Sequence, residues 1–461
     1  MSGVLKSSSN NNTAGTDFTE GKIMPLLLKF FIPFLLSNLL NSIYNTVDTI
    51  IIGQYVGSTG TVAVTLGGKM LTLFTNIGIA FAGGGQILIS QLIGAKKSNE
   101  INKTIGTLFT EMFVLSIVFS TVTLIFSRRI LDSLNTPAES YQQALSYLRI
   151  TSIGLPLIFG YTAVSSVLRG MGDSKNPLLF IAVAALINII GDIFFIVRLN
   201  LGAAGTAYAT VIGQGASLAF SIVLLYRKRE KFGFDFRFSS FRPDANKAKL
   251  MLKLGYPVAL RSCFIHITQL ILLGYVNLYG LTEAAAYSIG DKIVHLANIF
   301  HTSAQQAGGA MAGQNIGAGR HDRVKTIVHD CLIVTVTAAA ALTVPSLAVP
   351  RAIFGLFTSD TDVIAYAPEF MRISVIIFVL SAIMGPLETV VTGTGNTKLS
   401  LFGGLLDGVI FRIGFSFLFA KLLNMGVAGF FLGDALARLG PIIVNGSYYL
   451  SGRWEKYRKL V

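Results

Sequence analysis

Apolar runs long enough to cross a bilayer follow one another along nearly the whole of this chain and leave no segment over for a large soluble domain. A hydrocarbon core takes about 20 helical residues to cross, and the runs lie near 25–53, 61–93, 104–127, 143–168, 178–197, 203–226, 254–280, 284–315, 326–349, 365–392, 399–420 and 427–450. The expectation is an all-α integral membrane protein with twelve transmembrane helices. Composition supports it, since only 13% of the residues are charged, against about 25% in soluble proteins.

A net charge of +14 would suit a nucleic-acid partner, but its distribution points to the membrane instead. The two termini, with Lys29 at the start of the first span, and the even-numbered loops hold 25 Lys and Arg, the odd-numbered loops only five (Arg128, Arg129, Arg198, Arg351 and Lys421). Both termini are therefore expected in the cytoplasm, and no nucleic acid is expected to bind. Seven further basic residues, Lys69, Arg149, Arg261, Lys292, Arg372, Arg412 and Arg438, fall in or at the ends of spans. Cys263 and Cys331 show no metal or redox spacing and read as packed free thiols. The stretch SSSNNNT at 7–13 reads as disordered, and without a cleavable leader the first span is expected to be retained.

The chain is written twice. KFFIP at 29–33 answers KLGYP at 253–257, QLIGA at 91–95 answers QNIGA at 314–318, GMGDSK at 170–175 answers GTGNTK at 393–398, and LGAAG at 201–205 answers MGVAG at 425–429. All four pairs share an offset of 223 or 224, as an internal duplication requires. Each repeat holds six spans, an even number, so both start on the same side of the membrane. Two parallel six-helix lobes related by a pseudo-two-fold axis along the membrane normal follow, with a substrate path between them. The expected division is a disordered cytoplasmic tail at 1–21, an N-terminal lobe at 22–226, a cytoplasmic linker at 227–253, a C-terminal lobe at 254–450 and a basic cytoplasmic tail at 451–461. The linker's charges read as orientation signals and headgroup contacts.

YNTVDTIIIGQ at 44–54, VLRGMGDSKNP at 167–177, INIIGDIFFI at 187–196, LGAAGTAYAT at 201–210 and GQNIGAG at 313–319 closely resemble the multidrug and toxic compound extrusion (MATE) transporters, in their DinF-like or MepA-like bacterial branch. The likeness runs from about residue 22 to 450, with the motifs in family order. It implies a multi-pass protein of the bacterial cytoplasmic membrane, monomeric, that exports organic cations or other amphipathic compounds in exchange for H+ or Na+ by rocking of the lobes. No cofactor is expected beyond that coupling ion.

A carboxylate inside a membrane is costly unless neutralised, paired or hydrated, so each is a candidate functional group. Ser37, Asn41, Tyr44, Asn45 and Asp48 share one helical face by their spacings of three and four, and Asn188 and Asp192 share another. The resemblance matches Asp48, Asn188, Asp192 and Thr210 to the family's N-lobe cation cluster, whose two carboxylates and neutral oxygens suit one shared proton or one Na+. The plain alternative is interior hydrogen bonding that holds helices together. At the repeat offset, however, Asp48 falls on Ile271 or Leu272, and Asp192 on Phe415 or Ser416. An asymmetric pair of acids favours function over packing.

The family often places a proline after the fifth-span aspartate, and here Ile193 stands instead. Pro33 matches a family proline where the first helix bends. In the second lobe Glu388 is a candidate substrate contact, while Asp407 with Arg412 and Asp434 with Arg438 read as structural pairs. A NorM-type site is not expected, because the seventh span, RSCFIHITQLILLGYV, has no acid. Arg169–Lys175 lacks the full phosphate-loop spacing and reads as a tight turn. Phe and Met are abundant enough to line a cleft for flat hydrophobic cations. The main rival is a flippase for a lipid-linked saccharide or other amphipathic lipid, disfavoured because the candidate charges are acidic. An enzyme is not expected, for no nucleophile and base motif is visible.

Overall fold

The computed structural model describes residues 15–460 except Asn135 and Arg458. The SSSNNNT stretch lies outside the described residues. Twelve long helices follow: α1 Ile23–Tyr55, α2 Ser58–Gly94, α3 Ile101–Ser133, α4 Ala138–Gly170, α5 Lys175–Asp192 and α6 Ala203–Arg227 in the first lobe. The second lobe holds α7 Ala245–Asn277, α8 Leu281–Gly317, α9 His321–Ala348, α10 Ala367–Thr394, α11 Thr397–Leu422 and α12 Gly426–Leu450. Eleven of them are long and apolar enough to cross a membrane. The remaining one, α8, is as long as α2 but carries Asp291, Lys292, His295, His301, Gln305 and Gln306. It packs against α10, α9, α2 and α1, which buries His301 and half-buries Gln305 and Gln306, while Asp291, Lys292 and His295 stay exposed.

The repeat is visible in the backbone. Gly172 and Gly395 both take positive φ, at +85° and +72°, in the turns that follow α4 and α10. Asn200 and Asn424, at +53° and +54°, open the turns before α6 and α12. Such left-handed positions suit Gly and Asn, so the duplicated motifs are duplicated turns. The turn after α4 is closed by Asp173, whose Oδ1 accepts from the backbone N–H groups of Lys175 and Asn176 at 3.1 Å each. Three helical stretches widen into π turns, at Ile193–Arg198, Leu406–Phe411 and Leu418–Leu422. The first begins at the residue after Asp192, the place where the family's proline is missing.

Between lobes, α1 packs on α8 and α9 while α2 packs on α7 and α8. The seam is tightest at the chain-terminus-bearing ends of α2 and α8. A Cβ on Gly94 would lie 1.8 Å from the Gln314 carbonyl oxygen, and one on Gly317 2.2 Å from that of Gln91, so only glycine permits this approach. Gln91 Nε2 donates to the Gly393 carbonyl (2.8 Å), and Gln314 Nε2 to the Gly170 carbonyl (3.5 Å). These bonds are each other's repeat counterparts.

The chain ends complete the seam. The Phe18 N–H donates to Gln314 Oε1 and the Leu460 N–H to Gln91 Oε1, both at 3.0 Å. Arg323 and Arg320 donate to the carbonyls of Phe18 and Thr19, at 2.9 and 2.6 Å, and the Phe18 ring is fully buried against Phe30. Residues 15–21 are thus an ordered strap and not part of a disordered tail, because Phe18 has an apolar site and its backbone has partners.

The linker also differs from expectation. Its last residues are the first turns of α7, and Phe234 and Phe241 pack on Phe109 of α3. Close contact is possible because Gly106 faces the Ser240 carbonyl and Thr110 Oγ1 donates to the Phe241 carbonyl (2.6 Å).

Candidate functional site

The first-lobe polar residues meet where α1, α5 and α6 pack together. Asp48, Asn188, Asp192 and Thr210 are all buried, Asp192 completely. Their side chains come from three helices, so no local rule of sequence could place them together. Asn188 bridges the group: its Nδ2 donates to Asp48 Oδ1 at 2.8 Å while its Oδ1 accepts from the Thr210 backbone N–H at 3.2 Å. In the opposite amide orientation Nδ2 donates to Thr210 Oγ1 at 3.3 Å, and Asp48 loses its donor. The first orientation satisfies more buried groups and is the one physical chemistry favours.

The Asp48 and Asp192 carboxyls are neighbours close enough to interact. Ionised carboxylates can only accept, and both Asp192 oxygens are buried with no donor among the described residues. The cluster is therefore one proton, or one cation, short of satisfaction. An all-oxygen set of two carboxylates, an amide and a hydroxyl has the hard character that suits Na+ as well as a proton.

The rest of the α1 face divides by depth. Ser37 is buried and donates to the Pro33 carbonyl (2.7 Å), within the turn the proline interrupts. Asn41 and Tyr44 are half-buried and line a cavity between the lobes, which Thr210 also borders. Asn45 is exposed and donates to the Asn41 carbonyl (2.8 Å), outside the acid cluster. Tyr147 of α4 is a buried neighbour that sequence reasoning missed; its ring occupies the space beside Gly67.

The interlobe cavity has a volume of about 370 Å³. Leu71, Ile79, Ile158 and Val258 give it apolar walls, and Gln86, Gln214, Gln305 and several hydroxyls give it polar ones. Among the described residues, the charged side chains that line it are Arg169 and Arg261. The expectation of acidic charges in the cleft therefore does not match its lining. Glu388 is buried behind the wall, with its Oε1 2.5 Å from Arg261 Nη2 and its Oε2 3.8 Å from His301 Nε2. Arg261, an intramembrane cation, could have been singled out by the same rule that flagged the acids; Arg169 was hidden by the reading of its motif as a turn.

Deeper in the second lobe, Arg412 pairs with Asp407 (2.9 Å) and Arg438 with Asp434 (3.1 Å). Arg412 also contacts Asp434, joining α11 to α12, and Arg438 Nε donates to Ser381 of α10 (3.0 Å). These charges are spent on one another across α11 and α12, and Ser381 ties them to α10. Among the described residues, no cluster of three or more His, Cys, Asp or Glu forms a metal site.

Comparisons with known proteins are in keeping with this architecture. The family model described as MatE matches residues 33–194 and 257–420, one stretch in each lobe. The probable multidrug resistance proteins YpnP and YoeA of Bacillus subtilis (strain 168) are 28% and 26% identical to the chain, covering 95% and 94% of it and 97% and 95% of their own lengths. A solved multidrug resistance MATE family transporter of the MOP superfamily, in an outward-facing conformation, superposes with a TM-score of 0.90 at 20% identity, over 97% of this chain and 99% of its own. A MOP superfamily transporter from Pyrococcus furiosus gives 0.89 at 20% identity, over 95% and 98%. At that identity the structural likeness is one of fold.

Proposed function

The chain belongs to the MatE family, and on that premise we propose that it is a secondary active multidrug exporter that exchanges amphipathic compounds for H+ or Na+ through the Asp48–Asp192 cluster. The observation that carries this reading is the missing donor: Asp192 lies beside Asp48, fully buried, with both oxygens unsatisfied among the described residues. Two adjacent buried carboxyls share a proton readily, because the charge of one opposes ionisation of the other. If the ion is Na+, Asp48, Asn188, Asp192 and Thr210 are the residues that would hold it.

Thr210 borders both the acid cluster and the cleft, so a cargo against it feels the state of the cluster. Exchange requires the ion and the cargo to have different affinities in the two states of the transporter. The seam closed by Gln91, Gln314 and the two chain ends supports a state sealed from the cytoplasm, with both termini on that side of a bacterial inner membrane.

The test is transport by proteoliposomes of a cationic dye, ethidium, and an anionic one, carboxyfluorescein, under separately imposed proton and sodium gradients. Wild type is expected to respond to at least one gradient, and Asp48→Asn and Asp192→Asn to lose that response at least about tenfold, the loss of one charge-assisted interaction. Full gradient-driven transport in both variants would sink the coupling role.

A further inference from the structure

From the cleft's charges we infer that the cargo carries an anionic headgroup, of the phosphate or carboxylate type, bound between Arg169 of the first lobe and Arg261 of the second. The inference rests on the reading of the interlobe cavity as the cargo site, and it reverses the usual expectation of a cationic cargo.

Four observations converge. The charged residues of the cavity wall are these two arginines, one from each lobe, and among the described residues no carboxylate lines the cavity; Glu388 pairs with Arg261 from behind the wall. Arg169 makes no ion pair among the described residues. Its Nε has no hydrogen-bond partner, and neither does Ser165 Oγ one helical turn earlier on the same face. The guanidinium is also held in place, stacked over the Phe34 ring with its carbon 4.7 Å from the ring centre. Stacking of this kind leaves the N–H edge free to donate in the plane, the geometry that suits carboxylate and phosphate.

Position adds to the case. Arg169 is the penultimate residue of α4, and Arg261 Nη1 donates to Ser400 (3.0 Å), in the first turn of α11. Both arginines therefore stand at the end of the cavity nearest the closed seam. A cation at a helix C-terminus is favoured by the helix dipole, which accounts for an arginine in the last turn but not for an unpaired guanidinium that lines the cavity. The remaining walls alternate Leu71, Ile79, Ile158 and Val258 with neutral amides, so the body of the cargo is apolar and only its head is charged.

Glu388 gives the sharpest handle. It now neutralises Arg261 from behind, out of reach of the cavity. Glu388→Gln keeps a hydrogen-bond acceptor for Arg261 and removes the opposing charge, so anion binding should strengthen. A cleft that uses Glu388 to attract a cationic cargo demands the opposite result.

Isothermal titration of the full-length protein in detergent, with no gradient present, can compare hexyl phosphate, hexyltrimethylammonium and inorganic phosphate. Hexyl phosphate is expected to bind, Arg169→Gln to weaken it about tenfold or more, and Glu388→Gln to tighten it several-fold, in keeping with charge-assisted hydrogen bonds. Arg169→Lys should recover part of the loss. Tighter binding of hexyltrimethylammonium that disappears in Glu388→Gln overturns the inference, and so does inorganic phosphate binding as tightly as hexyl phosphate, which would mark a free-anion site. If Arg169→Gln does not fold, Glu388→Gln still decides the sign. Because this experiment reads equilibrium binding, it can fail while the Asp48–Asp192 coupling stands, and the reverse.

Discussion

Asp192 holds two buried oxygens without a donor among the described residues, and on the proposed reading the exchange site stays incomplete until its ion arrives. Strain of this kind is stored at functional positions and relieved by their ligands. Asp192→Asn puts a donor beside Asp48 with no proton or cation needed to supply it. Its thermal unfolding temperature near neutral pH should accordingly be equal to or above that of wild type, while gradient-driven transport is lost, a separation of stability from function. A clear fall in Tm would mean that the carboxyl pair is structural glue. In the sequence, Asp48 and Asp192 were legible as intramembrane acids, and spacing put Asn188 on the face of Asp192. That Asn188 reaches Asp48, and that Asn45 turns away to the Asn41 carbonyl, depends on how α1 and α5 are rotated against each other, which spacing within one helix does not fix.

At the scale of elements, the linker ends in the capped start of α7. Asp244 caps this helix, its Oδ1 accepting from the N–H groups of Asn246 and Lys247 at 2.9 and 3.0 Å, and its Oδ2 lies 2.9 Å from Lys103 Nζ of α3. The bond to Lys103, helped by the cap, holds this carboxyl at about 2, below its ordinary 3.8. A depressed folded-state value stabilises the protein above the ordinary value, and that contribution fades as pH falls through about 2. Asp244→Asn keeps the cap, because Asn caps a helix about as well as Asp, and loses the charge facing Lys103, so it should cost about 0.5 kcal/mol at pH 7. Its difference from wild type, followed by thermal unfolding, should shrink between pH 4 and pH 2. A difference that stayed constant over that range would remove the carboxylate from the explanation. The Asp-before-helix signal is present in RPDANKAK, whereas the packing of Phe234 and Phe241 on α3 is a contact between distant segments that the linker's charge pattern does not encode.

Over the whole molecule, the duplicated fold closes itself with its own ends: Phe18 satisfies Gln314, Leu460 satisfies Gln91, and the two glutamines are repeat counterparts. Phe18→Ala empties a fully buried aromatic site and should destabilise the closed seam by about 3–5 kcal/mol. A cysteine at Ser90, whose Oγ lies against Gly313 across the seam, in a background without Cys263 and Cys331, should then react faster with a maleimide. Unchanged labelling would show that the strap does not hold the lobes. By itself the sequence determined twelve spans, two parallel lobes and their turns, because hydropathy, charge bias and an internal repeat are carried by neighbouring or regularly spaced residues. Only the tertiary structure decided that the cleft is lined by Arg169 and Arg261 while Glu388 stands behind it, and that the chain ends lock the seam. Those outcomes join residues from about 130 to 370 positions apart, and contacts at such separations are set by how whole helices pack and rotate, which no local pattern encodes.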